Sequence, residues 1–279
     1  MEAPRLLHAM SADLNKTATP PLAQEVGRYA EAPVPPSLRG IFACQWMHVL
    51  PADAGGTSPL LVVPDGSIDL QWIDGVVRVA GPDRQPHAEA LRPGAQVLGL
   101  RFHPGAAAAW LGVDMSALAD RRVALRDLWG ARAAACLAAD SSAQFVQRVA
   151  ARPQPAANLT PDAAMAEAFR LLQSGMAPED SPLRWLSERL QQPERTLRRR
   201  FVKHFGYGPQ TLARLLRYQR FLRLARAEPS TPLARLAAEA GYADQPHLAR
   251  ESRRLAGRPP SALPRDQASA TLTFGQRDA

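Results

Sequence analysis

From residue 40 to residue 102, apolar and polar positions alternate in short runs separated by Gly, Pro and Asp. Residues 40–49 carry Ile41, Phe42, Trp46 and Val49. Leu60 to Val63 is an apolar run closed by Pro64-Asp65-Gly66, a turn sequence. In 67–73, Ile68, Leu70 and Trp72 fall on one face of a strand, and Asp69 and Gln71 on the other. Asp74-Gly75 joins that run to 76–80, and Asp-Gly between two such runs is a strong hairpin signal. A further strand is expected at 95–102, after Pro93-Gly94. Several short strands with this punctuation predict a small barrel or sandwich.

After His103-Pro104-Gly105 the apolar spacing becomes helical. Helix is expected at 106–111 and 165–172, and in two pieces across 126–149 that break near Asp140-Ser141. Residues 152–161 read as a linker by composition, and 175–180 as a second break. The first 35 residues are polar with scattered prolines, which suits a loose arm with one short helix.

The last third of the chain repeats itself. SPLRWLSERL at 181–190 returns fifty residues later as TPLARLAAEA at 231–240, and GYGPQTL at 206–212 returns as GRPPSAL at 257–263. Each copy begins with a hydroxyl side chain followed by Pro at the first helical position, a sound helix start. Each then reads as a short helix, a tight turn, a second helix and a Gly-x-x-Pro exit, the pattern of a helix-turn-helix unit. Gly241 supplies a left-handed turn residue in the second copy, whereas Gln191 stands there in the first. Residues 210–227 between the copies read as one helix of roughly 27 Å.

The second helix of the first copy should bury Leu197, Phe201 and Phe205 and present Arg195, Thr196, Arg199 and Lys203, with Arg198 and Arg200 on the flanks. In the second copy Leu248 and Leu255 point inward, and Pro246, His247, Arg250, Arg253 and Arg254 outward. Ser252 takes the place of Phe201, which should loosen the second unit. Arginine near the start of such a helix is the preferred bidentate partner of guanine in the major groove. Arg217 and Arg220 on the joining helix suit phosphate contacts and structural pairs equally.

Charge sharpens this picture. The chain of 279 residues has a formal net charge of +8, and 32 of its 34 basic residues are Arg. Residues 181–264 hold 17 basic and six acidic side chains, a net of +11, so the remainder is at −3. A basic block beside a near-neutral remainder is the electrostatic footprint of a nucleic-acid module on a separate domain. Two cysteines, Cys44 and Cys136, exclude a disulfide framework and a four-cysteine zinc site. No apolar run approaches the roughly 20 residues of a membrane helix, and residues 1–19 lack the apolar core of a secretory signal, so the expected compartment is the cytoplasm. No phosphate-binding loop, nucleophile elbow or zinc-protease motif is present. His48, His87 and His103 form no His-x-His pair. No catalytic residue, metal or cofactor is expected, and the chain reads as not an enzyme.

These residues resemble the AraC/XylS family of transcriptional regulators over 181–263. The matches are Arg195-Thr196-Leu197-x3-Phe201, Gly206-Tyr207-Gly208-Pro209 and Arg217-Tyr218-Gln219-Arg220. The second copy adds Ala240-Gly241-Tyr242-Ala243-Asp244-Gln245-Pro246-His247-Leu248-x-Arg250 and Gly257-x-Pro259-Pro260. The resemblance implies a seven-helix domain with two helix-turn-helix units, reading bases through Arg195, Arg198 and Arg199 and through Pro246, His247 and Arg250. Gln191, Pro193 and Ser252 depart from the family pattern. Val63-Pro64-Asp65-Gly66 and Gly99-Leu100-Arg101-Phe102-His103-Pro104-Gly105 resemble a cupin-like domain that precedes this module in one branch of the family. There it implies small-molecule sensing or dimerisation.

The expected fold class is α+β: an N-terminal small β-barrel or cupin-like domain with flanking helices, and a C-terminal all-α domain with two helix-turn-helix units joined by a long helix. The expected divisions are a loose arm at 1–35, a β-rich sensor or dimerisation domain at 36–150, and a linker and helix at 151–180. The DNA-binding domain follows at 181–265 and a flexible tail at 266–279. The expected partner is double-stranded promoter or operator DNA, with no membrane. The resemblance leaves open RNA polymerase, a small-molecule effector and a second copy of the chain in a homodimer. Two other classes compete. A DNA-repair alkyl acceptor would need a Pro-Cys-His nucleophile, which is absent. A cupin-type metabolite-binding or enzymatic protein with an accessory DNA-binding tail would leave the internal repeat unexplained.

Overall fold

The computed structural model describes residues 26–52, 59–152 and 161–263. The expectations for residues 1–25, for the linker at 153–160 and for the tail at 266–279 lie outside the described residues.

Among the described residues eight strands form: β1 Arg28–Ala32, β2 Phe42–Val49, β3 Leu60–Val62, β4 Asp69–Ile73, β5 Val76–Ala80, β6 His87–Glu89, β7 Gln96–Phe102 and β8 Arg122–Ala124. Six make one antiparallel sheet in the order β1-β2-β7-β4-β5-β8, and β3 pairs with β6 in a separate two-stranded sheet. The expected barrel is therefore open. Among the described residues β1 and β8 are its edges, because β3 and β6 pair with each other and do not close the larger sheet. β1 itself lies inside the stretch expected as a loose arm; Arg28 to Ala32 find a partner in β2, paired from Val49 to Gln45. The β4–β5 hairpin turns at Asp74 and Gly75, both with positive φ (48° and 86°), as a two-residue turn of this type requires.

One face of the sheet is apolar. Leu70, Trp72, Val79, Leu98, Leu100 and Phe102 pack there against helices α1 Ala107–Leu111, α2 Leu125–Trp129, α3 Ala131–Ala134 and α4 Ser142–Ala151. Ser141 caps α4 by accepting the Gln144 N–H at 3.3 Å. The other face carries Tyr29, Glu31, Trp46, Asp69, Gln71, Arg78 and Arg101, and lines a cavity of about 610 Å³. The β3–β6 pair and the C-terminal helices close over this cavity, so polar residues on alternating strand positions are buried rather than solvated.

Six helices follow among the described residues: α5 Ala163–Gln173, α6 Pro182–Leu190, α7 Glu194–Phe205, α8 Pro209–Ala227, α9 Leu233–Ala240 and α10 Gln245–Ala256. They share one core in which Met165 and Leu172 of α5 join Leu197, Phe201, Leu215, Tyr218, Leu236 and Leu248. α5 falls in the stretch expected as linker and helix, and its apolar stripe packs into the C-terminal core. Leu61 and Val63 from the strand domain reach the same core.

Candidate nucleic-acid interface

α6 and α7 form one helix-turn-helix unit, α9 and α10 the second, and the 19 residues of α8 join them. The first turn forms without glycine. Gln191 adopts the left-handed conformation at φ 51°, its backbone N–H bonds Ser187 O, and its side-chain amide donates to Glu188 O at 2.7 Å. The Ser187 hydroxyl donates to Gln192 O at 2.6 Å and fixes the exit of the turn. In the second turn Gly241 takes the left-handed position at φ 91°, and Asp244 caps α10 by accepting the His247 N–H at 2.6 Å. Pro246 sits in the first turn of α10, where a missing N–H costs no helical bond.

Leu197, Phe201 and Phe205 of α7 are buried, and Arg195, Arg198, Arg199 and Lys203 are exposed, with Thr196 half-buried at the edge. Val202 is exposed among the basic side chains, an apolar contact point that the charge pattern alone did not single out. Arg200 is turned away from solvent, donating to Gln192 Oε1 at 2.7 Å and pairing with Asp162. On α10, Pro246, Arg250, Arg253 and Arg254 are exposed while Leu248 and Leu255 are fully buried. His247 is half-buried, edge-on to Tyr242 and 3.4 Å from Glu179.

The open choice at Arg217 and Arg220 resolves to structural pairs. Arg217 contacts Glu179 at 2.6 Å and lies over the Tyr242 ring; Arg220 donates to Gln173 O at 2.8 Å. The expected weakness at Ser252 is corrected. Its hydroxyl is fully buried, lies 3.0 Å from the Tyr218 hydroxyl and donates to Arg258 O at 2.7 Å, so a polar link replaces the missing aromatic ring.

The first unit is seated on the strand domain. α7 packs on the 3-10 turn Met115–Ala117, and Gly206 at its end approaches so closely that a Cβ would lie 2.9 Å from Met115 O. Asp162, in the stretch expected as linker and helix, gathers this contact. Its N–H bonds Gly105 O at 3.2 Å, its carboxylate caps α5 at Met165 N, and it pairs with Arg200 and with His204 at 3.3 Å. Burial alone pushes the Asp162 carboxyl up, but the bonds from Arg200 and Met165 N–H outweigh it and hold it below its ordinary value. Gln219 of α8 donates to Pro64 O at 2.9 Å.

Among the described residues no cluster of His, Cys, Asp and Glu could hold a metal ion. His48 meets Val26 O at 2.6 Å, His103 meets Arg39 O at 3.0 Å, and His87 lies beside Glu89. Cys44 is half-buried and Cys136 exposed, both free thiols. No described helix is long and apolar enough to cross a membrane.

Comparison with known proteins adds two matches. Residues 186–266 match the family described as a helix-turn-helix domain, and residues 30–124 match a domain of unknown function (DUF6597). No curated protein matches the chain. Among solved structures, the chain is similar to a crystal structure of an apo ToxT variant from Vibrio cholerae. The two share 11% identity over 70% of this chain and 87% of that one, with a TM-score of 0.40.

Proposed function

We propose that the chain is a DNA-binding transcription regulator of the AraC type that reads duplex DNA with two helices, a reading supported by the match of residues 186–266 to a helix-turn-helix domain. α7 and α10 enter successive major-groove segments. Arg195, Thr196, Arg198, Arg199 and Lys203 face the first, and Pro246, His247, Arg250, Arg253 and Arg254 the second. The observation that carries this reading is the pair of exposed basic faces at either end of one helix. A 19-residue helix spans about 28 Å, the scale of the roughly 34 Å between major-groove faces one turn apart. A small molecule held in the cavity between the strand domain and the first unit controls the reading. The cavity is bounded by Phe205 of α7 and by Leu216 and Gln219 of α8, so its walls are also walls of the DNA-binding core.

Selection of the full chain against a randomised duplex pool tests the reading. An enriched motif with two half-sites about one helical turn apart is expected. Binding should weaken steeply with salt, as about 6–10 phosphate contacts require. Equal affinity for every sequence would overturn it.

A further inference from the structure

The cavity-facing side of the sheet contains two charged clusters of opposite character. In the first, Arg122 forks onto Asp83 at 2.8 and 2.9 Å, and Arg78 meets Glu89 at 2.8 Å. Two guanidinium groups face two carboxylates at short range, the arrangement of a structural network. In the second, Arg101 alone serves three carboxylates: Asp69 at 3.2 Å, Asp65 at 3.4 Å and Glu31 at 3.5 Å. All three contacts are long, and the cluster carries two negative charges in excess. Asp69 is only 7% exposed, and among the described residues Arg101 is its one charged partner within bonding distance, with the Trp46 indole as a neutral neighbour. A buried carboxylate so weakly partnered is costly, because desolvation opposes its charge.

Two aromatic rings stand beside this acid-rich cluster. Trp46 lies opposite Gly99 in the β2–β7 register, and a Cβ at Gly99 would come within 2.1 Å of the indole. The indole therefore lies against the β7 backbone, and Trp46 forms part of the cavity wall. Tyr29 stands 5.9 Å from it, ring centroid to ring centroid. Trp46 is 8% exposed, and its N–H is buried without a hydrogen bond of normal geometry. The cavity lining as a whole is balanced, since Arg223 and Arg226 of α8 also reach it, but at the Arg101 end aromatic side chains stand beside carboxylates in excess, the combination that recognises an organic cation.

We propose that the cavity binds a small organic cation, an alkyl ammonium group held beside the packed Trp46 and Tyr29 rings by Glu31, Asp65 and Asp69. This deepens the small-molecule control put forward above and rests on it. The Asp69 carboxyl is raised chiefly by burial, with the Arg101 charge only partly offsetting it, as expected where acid outnumbers base. Gly99 is then a recognition residue, since any side chain there would lift the indole from the sheet.

The test uses the full chain and three probes at matched ionic strength: 1,4-diaminobutane, the uncharged 1,4-butanediol and glucose. Thermal melting and calorimetry should show stabilisation by the diamine alone. Asp69→Asn should weaken diamine binding tenfold or more, and Glu31→Gln, at a half-exposed site, severalfold without loss of folding. Should Asp69→Asn fail to fold, Glu31→Gln carries the test. Equal or greater stabilisation by the diol or the sugar would overturn the cation assignment, as would no diamine effect at about 10 mM, tenfold above a millimolar dissociation constant. Duplex selection on the same preparation separates the two readings. An enriched motif without a diamine effect defeats this inference alone, whereas absence of any motif defeats the regulator reading.

Discussion

Ser252→Ala is expected to destabilise the second helix-turn-helix unit, although a serine among apolar residues reads from sequence as a defect. The Ser252 hydroxyl carries one proton, which goes to Arg258 O at 2.7 Å, so the Tyr218 hydroxyl is the donor in the 3.0 Å contact. Burial pushes the Tyr218 phenol up to about 12, so it keeps that proton at neutral pH. Alanine removes both buried bonds, at about 1–3 kcal/mol each, while the lost volume is small. The expected total is about 2–6 kcal/mol. Tyr218→Phe removes only the donor and should cost about 1 kcal/mol; the double variant should lose less than the sum of the singles. Ser252→Phe, which copies the residue of the first unit, forces a ring into a filled site and should cost about 1–3 kcal/mol. Urea unfolding of the full chain at constant slope measures all four. A Ser252→Ala midpoint equal to the parent's, or a stabilised Ser252→Phe, would mean that the serine is a packing flaw after all.

Three further outcomes follow from the same geometry. Arg199→Ala should weaken binding to the selected motif by about 1–3 kcal/mol and relax preference at one base position; a uniform loss across all sequences in the pool would make Arg199 a phosphate contact instead. Asp162→Asn should flatten the acid limb of the stability profile. The Asp162 carboxyl is held low in the folded chain, so its contribution is complete above the unfolded value near 3.9 and fades as pH falls through the lower folded value. Melting of the parent and the variant from pH 7 to pH 2 should therefore converge at the acid end, and parallel curves would refute the assignment. Gly206→Ala combines a left-handed backbone at φ 74° with a Cβ 2.7 Å from Pro82, and should cost about 1–3 kcal/mol; a melting temperature equal to the parent's would remove Gly206 from the contact between α7 and the strand domain.

Local signals carried much of this fold and failed where partners are distant. Asp74-Gly75 specified the β4–β5 hairpin because positive φ at both positions is a local demand. The 50-residue repeat exposed both helix-turn-helix units because each must bury the same stripe, Leu197 and Phe201 in one and Leu248 and Leu255 in the other. β1 escaped notice because a five-residue strand at a sheet edge, RYAEA, has little periodicity and owes its structure to β2, more than a dozen residues away. The alternation of Asp69 and Gln71 against Leu70 and Trp72 was legible, but its usual meaning, polar outward to water, does not hold here. The polar face is covered by β3, β6 and the helices of the other domain, and no local pattern encodes that cover. Asp162 was lost for the same reason: its partners Gly105, Arg200 and His204 lie more than 35 residues away in the chain.

The two helix-turn-helix units are alike in sequence and unequal in their surroundings. The first is anchored by Asp162 and by Gly206 against Met115, beside the contact of Gln219 of α8 with Pro64, and its core residue Phe205 forms cavity wall together with Leu216 of α8. The second packs on α8 through α9 and α10, with Arg217 and Tyr242 at the joint. A ligand shifts an equilibrium only by its differential affinity for the two states. In the proposed regulator, a cavity ligand therefore acts first on the seating of α7, and reaches α10 through the rigid body of α8. The paired Arg faces bind DNA best at one fixed separation, so loosening the first unit alone weakens the two-site grip even though every base-facing side chain remains in place.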